Sequence, residues 1–195
     1  MWLGLAHHYG WAVAVTISAE RQVVDRRRIE LIEPGLPSAP IHHEGGAHPL
    51  HRTGPELDDD ELGALVAEVR ASVRRAAADA LDELDAATAE SIVSISVRSW
   101  PADFPGDIAD QRRVPYESRA DSIMYCQVLA ELAHERGWRV HQFDAKTIET
   151  EASSILGDSS RDALNRPRST WGAPWAKDHR LAFAAAIVAG AGPTS

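Results

Sequence analysis

The stretch GWAVAVTISAERQVVDRRRIELI, residues 10–32, decides the fold. Residues 10–18, GWAVAVTIS, form a short apolar run and read as a buried strand. The polar Ala19-Glu20-Arg21-Gln22 reads as a turn. Val23 to Ile32 reads as a second strand, in which Arg26, Arg28 and Glu30 alternate against Arg27, Ile29 and Leu31. Two strands joined by a short polar turn make an antiparallel hairpin or meander near the N-terminus. Upstream, Trp2 to Ile17 is rich in Trp, Val, Leu and Ala, and its first apolar run ends at His7-His8.

Downstream, residues 34–56 carry Pro34, Gly35, Pro37, Pro40, Gly45, Gly46, Pro49, Gly54 and Pro55. This is a long loop, and long ordered loops are often functional. Asp58, Asp59, Asp60 and Glu61 then open a helix, where acidic side chains cap free N–H groups and suit the positive end of the dipole. Leu62, Leu65, Val66, Val69, Val73, Ala77, Ala80, Leu81 and Leu84 recur at helical spacing, which carries the helix to about Asp85. SIVSISVRSW, residues 91–100, reads as a strand ended by Pro101, and 101–116 as a loop. Ala120, Ile123, Met124, Val128, Leu129 and Leu132 mark a second long helix that Gly137 stops. Trp138 to Phe143 reads as a short strand and Lys146 to Leu156 as a helix. Residues 158–174 are polar and are expected to be a mobile loop. A last helix covers about 175–190.

Strands followed by alternating helices imply an α/β fold: a mixed sheet with antiparallel first strands, then parallel strands, flanked by helices. A length of 195 residues fits one domain over 1–195, and 44% hydrophobic residues suffice for a substantial core. The net charge of -9 weighs against strong nucleic-acid binding, though a local basic patch can act within an acidic whole. Cys126 stands alone, which excludes an internal disulfide and fits a reducing compartment. There is no basic stretch before the first apolar segment, no A-x-A-like cleavage site and no run of 18 apolar residues. The expectation is a cytoplasmic protein with no membrane partner.

Three segments resemble the ribonuclease H-like superfamily, most of all the RuvC-type Holliday junction resolvases. LGLAHHYGWAVAV (3–15) resembles that family's L-G-I-D-P-G segment followed by its G-[YW]-[AG]-V strand. MYCQVLAELAHERGWRVHQFDAKTIETEASSILG (124–157) resembles its helix, next strand and S/T-V-K segment. KDHRLAFAAAIVAG (177–190) resembles its closing helix, which carries D-x-x-D-A-L-A. The resemblance implies a ribonuclease H-like mixed sheet, and it admits a homodimer. It also implies a site of several carboxylates that hold two metal ions close to a phosphate. Here the carboxylates are largely missing. Ala6 stands where the first-strand aspartate is expected, followed by His7-His8. Arg98 stands near the position of the middle-strand glutamate, and Asp178 alone matches near the last helix. A fold inherited without its nuclease chemistry is the implication.

Paired histidines at element ends supply the candidate site. His7 and His8 point to opposite faces if they lie on a strand, and bind one ion together only if they sit in a turn. The structural alternative is one core and one exposed histidine. His42, His43, Glu44, His48 and His51 place five metal-capable side chains within ten residues, suited to zinc, iron, nickel or manganese. Their spacing matches no tight zinc motif, and a solvated loop is the alternative. Asp178 and His179, after Lys177, open the last helix, where a carboxylate either caps or functions. Arg98, with Asp144 and Lys146 after the next strand, makes a pocket rim at strand ends, or a structural ion pair. Arg112, Arg113 and Arg119, with Arg161, Arg166 and Arg168, suit a phosphate backbone or merely a solvated surface. Cys126 reads as a packing residue. Trp171 and Trp175 clamp a ligand or anchor the last loop.

Two functions compete. In the first, one divalent metal ion held by His7, His8, His42, His43, Glu44 and Asp178 activates a water against a phosphoester. Arg98 and Lys146 then steady the negative charge, with Asp144 and His179 beside them. In the second, the same scaffold is a non-catalytic binding or interaction protein. Resolvase activity itself needs a dimer and a basic junction-binding face, and the sequence shows neither.

Overall fold

The computed structural model describes residues 1–46, 49–157 and 162–192. Five strands form one mixed sheet: β1 (Trp2–His7), β2 (Trp11–Ile17), β3 (Val23–Glu30), β4 (Ser94–Arg98) and β5 (Arg139–Phe143). Their order is β3-β2-β1-β4-β5. The first three pair antiparallel, while β4 and β5 add to β1 in parallel. The helices are α1 (Asp59–Ala86), α2 (Ile108–Gln111), α3 (Glu117–Glu135), α4 (Ile148–Ile155), α5 (Asp162–Asn165), α6 (Pro167–Trp171) and α7 (Lys177–Ala191). None of the described helices is long and apolar enough to cross a membrane.

Side chains alternate across each strand, so every inner strand buries two faces. Leu3, Leu5, Ala12, Ala14, Ile95 and Val97 meet Val69, Val73, Leu81 and Leu129 of α1 and α3. Ala6, Val13, Val15 and Ile17 meet Leu181, Ala182, Ala185 and Ala186 of α7, with Ile148 of α4. α1 begins where the acidic cluster predicts. Asp58 accepts from the Glu61 N–H at 2.8 Å, and the Glu61 carboxylate accepts from Asp58 N–H at 3.2 Å. Ion pairs Arg70–Glu131, Arg74–Glu135 and Asp82–Arg136 run along the outer seam of α1 and α3.

α7 packs closely on β1. A Cβ on Gly4 would lie 1.9 Å from the Ala182 carbonyl oxygen and 2.9 Å from Ala186 N. Gly190 faces the Trp2 ring, and Asp178 reaches His8, so α7 runs antiparallel to β1. Its alanine run has a purpose at this contact, since only small side chains let helix and strand backbones touch. Ser96 of β4 adds a hydrogen bond from its hydroxyl to the Ala185 carbonyl at 3.0 Å.

Two loops are more ordered than their composition predicts. Within 34–56, residues Pro40–Gly45 form a short π-helix. The expected mobile loop at 158–174 is corrected over its described part, because 162–165 and 167–171 are short helices. Leu164 and Trp175 have core surface to bury, and the Trp175 indole N–H donates to the Leu164 carbonyl at 2.8 Å. Trp175 therefore anchors this segment. Residues 158–161, with Arg161 among them, lie outside the described residues.

The Gly4 contact yields a direct test. Gly4→Ala should destabilise the protein by about 3 kcal/mol or more in urea unfolding, because the added carbon meets backbone that cannot rotate aside.

Candidate functional site

β1 and β4 are parallel neighbours, so their C-terminal ends open together, the place where open α/β sheets take ligands. A cleft of about 510 Å³ lies there against the first half of α3. His7 enters from the end of β1, His8 and Tyr9 from the turn after it, Trp11 from the start of β2, and Arg98 and Ser99 from the end of β4 and the residue after it. α3 contributes Ser118, Arg119, Ser122, Ile123 and Cys126.

His7 follows Leu3 and Leu5 on the face toward α3 and is 3% exposed. Its Nε2 lies 2.9 Å from the Ser122 hydroxyl and 3.5 Å from the Cys126 sulfur. Burial, and then the Arg98 charge, push its pKa down to about 3, so the ring is neutral at ordinary pH. So weak a base does not activate Ser122 as a nucleophile. Burial pushes the Cys126 thiol up to about 12, which excludes a thiolate there. His8 turns the other way. Its ring stacks on Trp11 at 4.2 Å, and its Nε2 lies 3.1 Å from Asp178 Oδ2. The pair is thus one core and one exposed histidine, facing α3 and α7 respectively.

Arg98 and Arg119 give the cleft its charge. Arg119 is exposed, and Arg98 is half-buried with its Nε enclosed and without a hydrogen-bond partner. Among the described residues neither guanidinium has an ion pair. The other arginines of the same run are engaged. Arg112 is buried and donates to Gly45 and Leu57 carbonyls and to Asp59 and Glu56, while Arg113 pairs with Asp110. The Arg98–Asp144 ion pair is therefore not made.

The remaining expected residues lie elsewhere. Asp144 is exposed beyond β5, where its carboxylate accepts from Lys146 N–H at 2.9 Å. Lys146 lines a separate groove with Glu149, Lys177 and Arg180. The reason is β5's place at the sheet edge, away from β1. His179 Nδ1 accepts from Ala176 N–H at 3.3 Å, and the ring lies 5.6 Å from Trp175. So His179, rather than Asp178, caps α7. Burial, and then Arg26, lower its pKa. Glu44 accepts from the Thr53 hydroxyl at 2.6 Å, and the His43 ring is exposed beside Tyr9. His42 turns to His51 instead, at 4.4 Å between ring centres. His48 lies outside the described residues. His7, His8, His42, His43, Glu44 and Asp178 therefore do not converge on one ion.

Asp121 is what holds the loop. Its buried carboxylate accepts from the N–H groups of Ile41 at 3.1 Å and His42 at 2.8 Å, and burial raises its pKa to about 7. Tyr125 donates its hydroxyl to the Ser38 carbonyl at 3.0 Å. Glu117 and Asp121 are not among the residues expected from sequence to form a site. Their signal was present, as two carboxylates four residues apart on the apolar stripe of Ala120, Met124 and Val128. Comparison with protein-family models, with curated proteins and with solved structures gave no match.

Two outcomes follow from these geometries. The unfolded chain protonates His7 near 6.5, but the folded one only near 3. Between those values the unfolded state binds more protons, so stability falls as pH falls through that window. His7→Leu should flatten this dependence by about 1.4 kcal/mol per pH unit, read from urea unfolding at several pH values. Asp121→Ala should cost about 2–4 kcal/mol, because two enclosed N–H groups lose their acceptor, and hydrogen exchange should locate the loosening at residues 40–46.

Proposed function

We propose that this chain is a ribonuclease H-like, RuvC-like protein whose cleft is rebuilt to bind a phosphate ester rather than to hold two metal ions. The sheet order β3-β2-β1-β4-β5, antiparallel then parallel, with a closing helix along β1, supports the scaffold. The observation that carries the binding reading is the pair of guanidiniums, Arg98 and Arg119, lining one cleft with no carboxylate partner among the described residues. In a chain of net charge -9, two such cations at strand ends make a local anion site. Ser99, Ser118 and Ser122 add hydroxyl donors, and Tyr9 and Trp11 add aromatic surface. The cleft's volume falls within the about 300–1,000 Å³ of small-ligand sites, which suits a nucleotide or one unit of a single strand.

Metal-assisted phosphoester hydrolysis is the second reading, and the His8–Asp178 pair beside the cleft favours it. In that version His8 and Asp178 hold the ion, and Arg98 steadies the developing charge. Ala6 and Arg98 stand where two further carboxylates are needed, so the set is short of negative charge. The binding reading is the better supported.

Calorimetric titration with a nucleoside 5′-monophosphate and with a short single-stranded oligonucleotide tests both. Arg98→Met and Arg119→Met should each weaken binding about tenfold or more, the worth of one charge-assisted hydrogen bond. Affinity unchanged in both variants removes the binding reading. Mg²⁺- or Mn²⁺-dependent cleavage of the oligonucleotide, lost in Asp178→Ala, decides for the hydrolase.

A further inference from the structure

The other face of the first α3 turns carries a different chemistry. Ser118, Arg119 and Ser122 look into the cleft, whereas Glu117 and Asp121 look toward the loop. We propose that His42, His51 and Glu117 form a binding site for one divalent transition-metal ion of the zinc class, independent of the cleft and of its reading. Nitrogen atoms of the two imidazoles and a Glu117 oxygen all lie within 4.8 Å of one another. Glu117 Oε1 is 3.7 Å from His51 Nδ1. Two imidazoles and one carboxylate are a donor set that zinc takes with a fourth position open.

The loop is built to bring these groups together. Thr53 N–H donates to the His43 carbonyl at 2.8 Å, and Arg52 reaches the Gly46 carbonyl at 3.3 Å, so the chain doubles back and lays His51 on His42. Asp121 grips the His42 backbone, and Arg112 grips the Gly45 carbonyl at 3.1 Å. Gly46 admits Glu117, since a Cβ there would meet Glu117 Oε2 at 2.8 Å. Two of the ligands are thus placed by rigid parts, a buried carboxylate on α3 and a ring on the clamped π-helix. The third, His51, is exposed and lies against both, its ring on His42 and its Nδ1 beside Glu117. Bond lengths of about 2.0–2.2 Å to one ion draw the three atoms closer than the 4.8 Å within which they now stand. Short π-helical segments recur at functional sites, and this one carries His42.

The test uses the full chain and two metals, Zn²⁺ by calorimetry and Co²⁺ by visible absorption. One ion should bind per chain at micromolar concentration, give the intense visible bands of a low-coordinate Co²⁺ site, and raise the melting temperature. His51→Ala leaves the core untouched and should abolish the bands. It should also weaken Zn²⁺ binding by more than the about 10–100-fold that loss of an outer-shell partner costs. Glu117→Gln should do the same, with circular dichroism reporting its fold. His134→Ala, exposed at the far end of α3, should change nothing. Failure of the wild-type chain to bind either ion at micromolar concentration overturns the site. Binding that survives both His51→Ala and Glu117→Gln overturns it too.

Discussion

The contact on which the structure depends is the seating of α7, backbone against backbone, on β1 at Gly4. It needs a residue without a side chain on the strand and a run of alanines on the helix. Dispersion and excluded water reward that closeness only while both surfaces stay small. The seating orients α7 antiparallel to β1 and so delivers Asp178 to His8. The same helix covers β4 through the Ser96–Ala185 hydrogen bond. One face of the sheet is thereby closed, and the strand ends remain open beside α3.

α3 then divides the remaining chemistry. Its apolar stripe packs on β4 and β5, and its first two turns present two polar faces. One carries hydroxyls and Arg119 to the cleft. The other carries Glu117 and Asp121, both buried, to a loop rich in proline and glycine. Buried carboxylates persist where they are hydrogen-bonded or paired, and here they organise the segment that covers them. Tyr9 stands at the divide, its hydroxyl on the Ser118 carbonyl and its ring beside His43.

The electrostatics of the cleft follow from burial as much as from residue type. His7 is neutral because it is enclosed and lies near Arg98. Cys126 keeps its proton because it is enclosed. Both are uncharged near neutral pH. What the cleft offers is fixed positive charge, hydroxyl donors and aromatic faces.

Local patterns were enough to establish the α/β class, the antiparallel opening strands, the two long helices and the capped start of α1, because period and end chemistry act within a few residues. The Asp58–Glu61 box, the Leu62–Leu84 stripe and the stop at Gly137 are of this kind. Order within 162–171 was hidden, because it comes from Leu164 and Trp175 reaching a core built by other segments. The site was legible only as residue types near element ends. That His8 would meet Asp178, that Arg98 would have no carboxylate among the described residues while Arg112 gathered two, and that His42 and His51 would gather beside Glu117 were decided by tertiary structure. Those partners lie far apart along the chain, and only the packing of α7 and α3 on the sheet sets the distances on which charge and coordination depend.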